Sequence, residues 1–406
     1  MGHIVKTKAG TYRANWRDHT DRQRSKTFAT KKEAAAFLAE ISSSLNRGTY
    51  VDPHAGKTKF GPYAQTWLAS RNHELATAAR DASIMKTHVL ARWADLALGK
   101  IDHSSVQAWI TDLGKRLAPA TVIECHRLLS GVLRSAVRDR LIGANPCEGV
   151  RLPKRRRQAD DDRTITREEF AKLLLQVPER YRALVALAAG TGLRWGECAG
   201  LRWDAVDLGA ATLRVLRVVV EVDGHVSVKP YPKSKAGRRE VPLPGFVVEL
   251  LTAHRDRYGP GPLGEVFTNS TGGALSRHVF RARVWRPSLV RAELLGSVTP
   301  LGSERFLGTW TDRKGSEQSE VFRSRQEAIA HVAKHAGEGL RFHDLRHCYA
   351  TWLISDGVPV NDVAGLLGHG QTSTTLNRYT HPSRERNSRA RAVFADFPLI
   401  ADSQKR

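Results

Sequence analysis

The chain has 406 residues, of which 41% are hydrophobic, and a formal net charge of +23. This length favours two or three domains over one, and the hydrophobic content is enough for packed cores, which excludes wholesale disorder. The positive charge predicts a polyanionic partner, because cationic side chains bind phosphates with release of counterions.

Two further classes of protein are excluded by composition. No apolar run approaches the roughly 18–20 residues of a membrane-spanning helix, and residues 1–10 have no apolar core of a signal peptide. The cysteines are scattered and form no CxxC pair, so neither a disulfide framework nor a zinc site is expected. We therefore expect a protein of the reducing cytoplasm with no membrane partner.

Residues 1–56 are predicted to form a small β-sheet packed on one helix. Residues 11–16 alternate like a strand, and residues 25–28 favour a second strand. Thr30 is the expected N-cap of a helix over residues 31–45, since Glu33 can complete a capping box. We interpret this N-terminal module as DNA-binding because it is rich in lysine and arginine, and the alternative is a basic face turned to solvent.

Residues 57–150 have the apolar spacing of a helical bundle. Pro119 suits the first turn of a helix, and Asn145-Pro146 marks a stop. The bundle carries Arg127, Arg134, Arg138 and Arg140. Three of these arginines could follow a phosphate backbone, although an exposed helix face would have the same pattern.

Residues 151–165 are predicted to be a basic linker, since Lys154-Arg155-Arg156-Arg157 has no hydrophobic partner. A mostly helical domain follows over residues 166–397. Its first helix is expected to start at Thr166, which is followed by Glu168 and Glu169. Asp223-Gly224 lies between β-branched runs at 212–222 and 225–228, which predicts a hairpin.

An internal repeat appears when the chain is shifted against itself by 294 residues, because Trp16 then falls on Trp310, Phe28 on Phe322 and Glu33 on Glu327. The shared pattern is strand, turn, strand, cap and helix. We infer a second copy of the N-terminal module over about residues 301–339, which we call the inserted module. It could bind DNA, contact a neighbouring subunit or pack within its own domain.

Four short motifs after residue 190 carry candidate chemistry. Arg194 follows Thr191-Gly192-Leu193 at the end of an apolar run, with Glu197 one turn later. His343 and Arg346 lie three residues apart and can share one helix face. His369 follows Leu366-Leu367-Gly368, and Tyr379 comes ten residues further on. Each signal alone is modest, but the ordered set is specific.

In this order and in these contexts, the motifs resemble the tyrosine recombinase (phage integrase) family, over roughly residues 57–395. The resemblance implies a multidomain protein, mainly α with small β-sheets. It implies an N-terminal arm-type DNA-binding module, a SAM-like helical core-binding bundle and a mixed α+β catalytic domain. The chain departs from the simple family plan in the length between Arg283 and Gly339, where the inserted module lies.

The resemblance also assigns roles to the residues. Arg194 and Arg346 are expected to clamp the scissile phosphate, which Tyr379 attacks to give a 3′-phosphotyrosine and a free 5′ hydroxyl. His343 is expected to serve as the base, His369 to hydrogen-bond the phosphate, and Glu197 to orient Arg194. Lys235 is the expected general acid, with Lys233 as the alternative. Two arginines, a lysine and imidazoles can stabilise such a transition state, so no metal or other cofactor is expected.

The expected function is a site-specific recombinase that integrates and excises a phage or other mobile element. The expected partners are double-stranded attachment sites, three further copies in a homotetramer, a DNA-bending host factor and an excision factor. It would act in the cytoplasm of a bacterial host, at the nucleoid. A type IB topoisomerase-like enzyme and a decayed integrase that acts as a DNA-binding regulator are the alternatives. The segment 383–397 could link protomers or pack within its own chain.

Overall fold

The computed structural model describes residues 2–18, 21–47, 55–154, 163–229, 237–302, 304–337 and 339–368. The chain divides into two compact units, Met1–Arg157 and Gln158–Arg406. Across the described ranges, no helix is both long enough and apolar enough to span a bilayer.

The N-terminal module is a three-stranded antiparallel sheet with one helix. Its elements are β1 (His3–Lys6), β2 (Tyr12–Arg17), β3 (Gln23–Phe28) and α1 (Lys31–Asn46). The predicted capping box is confirmed, since Thr30 Oγ1 accepts from Glu33 N and Glu33 Oε2 accepts from Thr30 N. The strand β1 was not predicted from the sequence. It pairs with β2, but with four residues it is too short to show a recognisable strand pattern in the sequence.

Residues 55–154 form the expected helical bundle. Its helices are α2 (Phe60–Ala69), α3 (Leu75–Ile84), α4 (Ala91–Trp93), α5 (His103–Gly114) and α6 (Pro119–Arg138), with a π-helical turn at Met85–Leu90 and 3₁₀ turns at Ala55–Lys57 and Leu98–Lys100. Pro119 is in the first turn of α6, as predicted. Trp93, Phe60 and Leu129 lie in the core. Arg127 contacts the buried carboxylate of Asp81, so an internal ion pair already engages this arginine.

In its described part, the second unit has helices and three small sheets that surround a large apolar core. Its first helices and strands are α7 (Arg167–Gln176), α8 (Glu179–Thr191), α9 (Trp195–Ala199), β4 (Val206–Asp207), β5 (Thr212–Arg214), β6 (Val218–Val222), β7 (His225–Lys229), β8 (Glu240–Pro242), α10 (Gly245–Tyr258), α11 (Arg277–Phe280) and α12 (Arg286–Arg291). A 3₁₀ turn (Trp203–Ala205) precedes β4, and a π-helical turn (Arg281–Trp285) joins α11 to α12.

The hairpin at Asp223-Gly224 is confirmed, since β6 pairs with β7 and both turn residues have positive φ. The single run predicted over 212–222 is wrong, however. It divides into β5 and β6, which lie in different sheets, because β5 pairs with β4 and β8. The start of α7 is as predicted, with Thr166 and Glu169 forming a capping box.

The inserted module has the same arrangement as the N-terminal one and is placed in the second unit. Its elements are β9 (Ser297–Pro300), β10 (Phe306–Thr311), β11 (Glu317–Phe322) and α13 (Arg325–His335). Each strand begins 294 residues after its counterpart, as His3 and Ser297 illustrate. The structure therefore begins this arrangement before residue 301, at a strand that the sequence comparison did not include. Two further helices, α14 (Asp344–Ser355) and α15 (Val360–Leu367), follow it.

The four cysteines of the chain are all buried and free. Burial raises the pKa of Cys125 and Cys348 to about 11, that of Cys147 to about 12, and that of Cys198 well above its usual range. The thiols are therefore protonated at neutral pH, as expected of small core residues.

Candidate active site

The first candidate motif is a tight turn at the end of α8, a helix that is buried from Ala183 to Thr191. Gly192 ends the helix in the left-handed conformation, with φ of 64°. A Cβ atom at this position would lie 2.6 Å from Tyr349 Cδ1 and 2.8 Å from Leu367 Cδ2. Glycine is thus required both by the backbone and by the close approach of α14 and α15. This contact places the turn that begins at Gly192 next to α14 and the end of α15.

Arg194 is the N-cap residue of α9 and is held by Glu197. The backbone N–H of Arg194 donates to Glu197 Oε2 at 2.9 Å, and its Nη1 donates to Oε1 at 3.0 Å. The Glu197 side chain is 4% exposed, whereas that of Arg194 is 41% exposed. A buried carboxylate therefore holds an arginine whose guanidinium is accessible to an anion. The role of Glu197 in orienting Arg194 during the reaction stays a prediction.

A second arginine, Arg239, binds the same carboxylate from another segment. Its Nη1 and Nη2 donate to Glu197 Oε1 and Oε2 at 3.3 and 3.0 Å. Its Nε donates to the carbonyl of Leu366 at 2.6 Å, near the end of α15. Our sequence reasoning did not select Arg239, because its partners are 42 and 127 residues away along the chain.

Arg346, on α14, is 2% exposed and connects the same two regions. Its Nη1 donates to the carbonyl of Gly192 at 2.7 Å, and its Nη2 donates to that of Leu367 at 2.6 Å. Arg239 and Arg346 thus bind consecutive carbonyls at the end of α15. Both also bind the turn 192–197, one at each end. Four segments that are distant in sequence are joined at this point.

His343 lies at the start of α14, in an exposed position, with its ring 5.1 Å from that of His347. The start of the helix is fixed by Asp344, which is fully buried. Asp344 accepts from the backbone N–H of Arg341 at 2.7 Å and from Arg341 Nε at 2.9 Å. His343 and Arg346 therefore both lie in the first turn of one anchored helix.

The electrostatics of the site depend on Glu197. Burial acts to raise the pKa of Glu197, but the hydrogen bonds and charges of Arg239, and then of Arg194, outweigh it and lower that pKa below its usual range. The carboxylate is thus ionised at neutral pH. Arg194 and Arg239 share this one carboxylate, and Arg346 binds the same turn through the Gly192 carbonyl, which leaves a local excess of positive charge that suits a phosphodiester. In the described part of the chain, no three His, Cys, Asp or Glu side chains are grouped as metal ligands would be.

The structure thus brings together four predicted residues, namely Arg194, Glu197, His343 and Arg346. The other predicted residues, Lys235, its alternative Lys233, His369 and Tyr379, lie outside the described residues. The nearest described residues are Gly237, which follows the two lysines, and Gly368, which precedes His369. Gly368 ends α15 in the left-handed conformation, with φ of 64°.

Comparison with known proteins gives the family to which the chain belongs. Residues 311–386 match the model of the phage integrase family. The integrase of Mycobacterium phage FRAT1 is 30% identical over 73% of this chain and 96% of its own length. The chain belongs to the phage integrase family. A second relative, the prophage phiRv2 integrase of Mycobacterium tuberculosis, is 26% identical over 100% of this chain and 97% of its own length.

These relationships settle the class of enzyme. The chain is a tyrosine-type site-specific recombinase with integrase function, as the ordered motifs predicted. The fold agrees with that of the Tn1549 transposon integrase in complex with transposon right end DNA, with a TM-score of 0.60 at 17% identity over 84% of this chain and 99% of that one. The predicted multidomain fold, mainly helical with small sheets, is confirmed.

Proposed function

We propose that this integrase cleaves and rejoins DNA through Tyr379. The phenolate oxygen attacks the scissile phosphorus, the P–O bond to the 5′ oxygen breaks, and the products are a 3′-phosphotyrosine and a 5′ hydroxyl. Attack by the 5′ hydroxyl of a partner strand on that ester reverses the sequence and reseals the backbone. The phosphoester conserves the energy of the broken bond, so rejoining needs no separate energy source.

The observation that carries this proposal is the convergence of Arg194, Glu197 and Arg346 on one turn. Glu197 holds the half-exposed guanidinium of Arg194, which can address a non-bridging oxygen of the phosphate. Arg346 is the second proposed phosphate ligand, and it also binds the carbonyls of Gly192 and Leu367. Preorganised cations of this kind stabilise a phosphorane-like transition state because they need no rearrangement when the charge develops.

Two proton transfers and one hydrogen bond to the phosphate are assigned to three further residues. His343, exposed at the start of α14, acts as the base for the phenol. Lys235, or its alternative Lys233, protonates the departing 5′ oxygen, and His369 hydrogen-bonds the phosphate. These assignments are supported by membership of the family and by the attachment of the neighbouring residues Gly237 and Leu366 to Arg239.

We further propose how the other regions take part. The N-terminal module binds arm-type DNA, the bundle binds core DNA, and residues 151–165 link the bundle to the catalytic domain of residues 166–397. Four protomers join two duplex attachment sites, with a DNA-bending host factor and an excision factor as accessory proteins. The net charge of +23 and the family support this arrangement in the cytoplasm of a bacterial host, at the nucleoid.

Covalent trapping tests the proposed nucleophile. A nicked duplex that spans the junction of element and host DNA is incubated with wild type, Tyr379→Phe and the matched control Tyr181→Phe. Tyr181 packs edge-on against Phe280, so its replacement keeps the aromatic contact. We expect a denaturing gel to show a 3′ adduct with wild type and Tyr181→Phe, and none with Tyr379→Phe.

An adduct with Tyr379→Phe would place the nucleophile elsewhere and contradict the site assignment. Tight binding of DNA without an adduct from wild type would instead favour the decayed integrase. The relatives described above are integrases, which favours recombination over the topoisomerase alternative.

A further inference from the structure

Arg239 occupies an unusual position for a residue outside the predicted catalytic set. Its carbonyl accepts from Val215 N at 2.9 Å, which fixes its backbone to the sheet of β4, β5 and β8. Its side chain is 7% exposed and carries a full positive charge. A buried guanidinium is costly unless it is paired and its donors are satisfied. The partners of Arg239 are therefore the reason for its presence.

These partners belong to three separate segments. Besides the carboxylate of Glu197, the guanidinium donates to the carbonyls of Gly237 at 3.3 Å and Leu366 at 2.6 Å. Each contacted residue is close in sequence to a proposed catalytic residue. Glu197 holds Arg194, Gly237 follows Lys235 by two residues, and Leu366 precedes His369 by three. The side chain of Arg239 thus contacts three residues, each of which holds or lies close in sequence to a proposed catalytic residue.

The geometry at Glu197 gives Arg239 control over Arg194. The Glu197 carboxylate accepts from the backbone and the Nη1 of Arg194, and the two terminal nitrogens of Arg239 hold both of its oxygens from the other side. If the fork of Arg239 were lost, the carboxylate could rotate toward Arg194 and draw its guanidinium inward. A planar guanidinium can hold a carboxylate at two points, whereas a lysine ammonium contacts it as a point charge.

We propose that Arg239 is a positioning residue for strand cleavage, which fixes the segments of Arg194, Lys235 and His369 in one arrangement without contacting DNA. This inference rests on the roles proposed above for those three residues. It predicts that Arg239→Lys, which retains the charge, slows covalent cleavage while DNA affinity is unchanged. We expect a loss of roughly 100-fold, because small misplacements of catalytic groups have effects of this size.

The test compares wild type, Arg239→Lys and the matched control Arg286→Lys on the nicked duplex. Arg286 is also a buried arginine, whose guanidinium donates to the carbonyls of Ala333, Ala336 and Gly337 away from the site. The rate of adduct formation, the DNA affinity and the thermal midpoint are measured for each protein. We expect both variants to lose thermal stability and Arg239→Lys alone to lose the cleavage rate.

Two modified substrates distinguish positioning from a general structural defect. A methyl group in place of one non-bridging oxygen removes the charge that Arg194 neutralises, and sulfur at the 5′ bridging position gives a leaving group that needs no acid. We expect at least one of them to reduce the deficit of Arg239→Lys relative to wild type. In addition, Glu197→Gln combined with Arg239→Lys should be no slower than the slower single variant, because both act on Arg194.

The inference is overturned if Arg239→Lys cleaves as fast as wild type. It is also overturned if neither modified substrate reduces the deficit, or if Arg286→Lys is slowed equally. The wild-type reaction reports separately on the proposed function: absence of any adduct from wild type would refute that function and, with it, the role of Arg239. A normal wild-type adduct together with an unaffected variant refutes the role of Arg239 alone.

Discussion

The sheet of the N-terminal module presents five basic side chains, whereas the corresponding positions of the inserted module present none. The N-terminal residues are Lys6, Arg13, Arg17, Arg24 and Lys26. Their counterparts, 294 residues later, are Pro300, Leu307, Thr311, Gln318 and Glu320. Arg13 and Arg17 are exposed, on the face of β2 opposite to the buried Trp16. One backbone arrangement therefore carries two very different surfaces.

The turns of the two modules have kept their chemistry despite this change. Asp18 Oδ1 accepts from Arg22 N at 3.0 Å, and Asp312 Oδ1 accepts from the equivalent Ser316 N at 3.0 Å. The turn position with positive φ is Asp21 in one copy and Gly315 in the other. Local hydrogen bonds thus define the module, and its charges can change without loss of the backbone arrangement.

The cores differ as well. In the N-terminal module Trp16 and Ile41 form a small core of their own. In the inserted module, Trp310, Ile329 and Val332 are part of the main core of the second unit. The helix α13 is also held by Arg286 through its last carbonyls. Packing within the domain is thus established for the inserted module, and its sheet lacks the cations that phosphate binding requires.

Truncation of the equivalent residues Trp16 and Trp310 should have the largest effect on stability among the tests of this comparison. Trp310→Ala is expected to destabilise the whole second unit by about 3–5 kcal/mol, because it opens a cavity in the main core. Trp16→Ala is expected to unfold the N-terminal module and leave the transition of the second unit unchanged. Denaturant unfolding followed by hydrogen exchange measures both. Equal effects on the second unit would show that the two cores are not independent.

Exchange of the surface residues tests the difference in charge. Arg13→Leu together with Arg17→Thr gives two positions of the N-terminal sheet the residues found at Leu307 and Thr311 of the inserted module. A plot of the logarithm of the arm-DNA binding constant against the logarithm of salt concentration should then have a slope smaller in magnitude by roughly 2, since each phosphate contact contributes about 0.9. Footprinting and salt titration measure this change.

The matched control for that exchange is Lys314→Glu with Arg325→Glu, on the inserted module. We expect it to leave the footprint on arm DNA unchanged. Loss of the arm footprint in this control would show that the inserted module also binds DNA, through residues outside its sheet.

The smallest expected effect concerns the shared turn. Backbone N–H groups of Ser316 and Lys314 lower the pKa of Asp312 below its usual value of 3.8. A lowered folded-state pKa means that the stabilisation is present above pH 3.8 and is lost as the pH falls through the folded-state value. Asp312→Ala should therefore have a slightly lower thermal midpoint than wild type at pH 7, and the difference should vanish in strong acid. A difference that persists there would attribute the effect to packing.

Local signals in the sequence predicted much of the fold. Thr30, Pro119 and Thr166 start helices as expected, because each satisfies or removes an unpaired N–H at a helix terminus. Asp223-Gly224 gives its hairpin because both residues tolerate positive φ. The strands β1 and β9 were missed since neither has such a signal, and their pairing partners lie beyond a turn.

The candidate site was predictable where function restricts residue identity and not where it depends on packing. Arg194, His343 and Arg346 belong to an ordered motif, so the chain itself indicates them. Arg239 lies among several basic residues that look alike in sequence. Its selection depends on tertiary contacts with Glu197 and Leu366, which no local pattern encodes.

The burial of all four cysteines has a practical consequence. The thiolate is the form of cysteine that attacks thiol-reactive dyes, and the raised pKa values leave almost none of it at neutral pH. A single cysteine introduced on the surface would therefore be labelled selectively in the otherwise natural chain. Fluorophores attached to the N-terminal and inserted modules in this way would report, one molecule at a time, whether each module moves when the proposed complex with DNA forms.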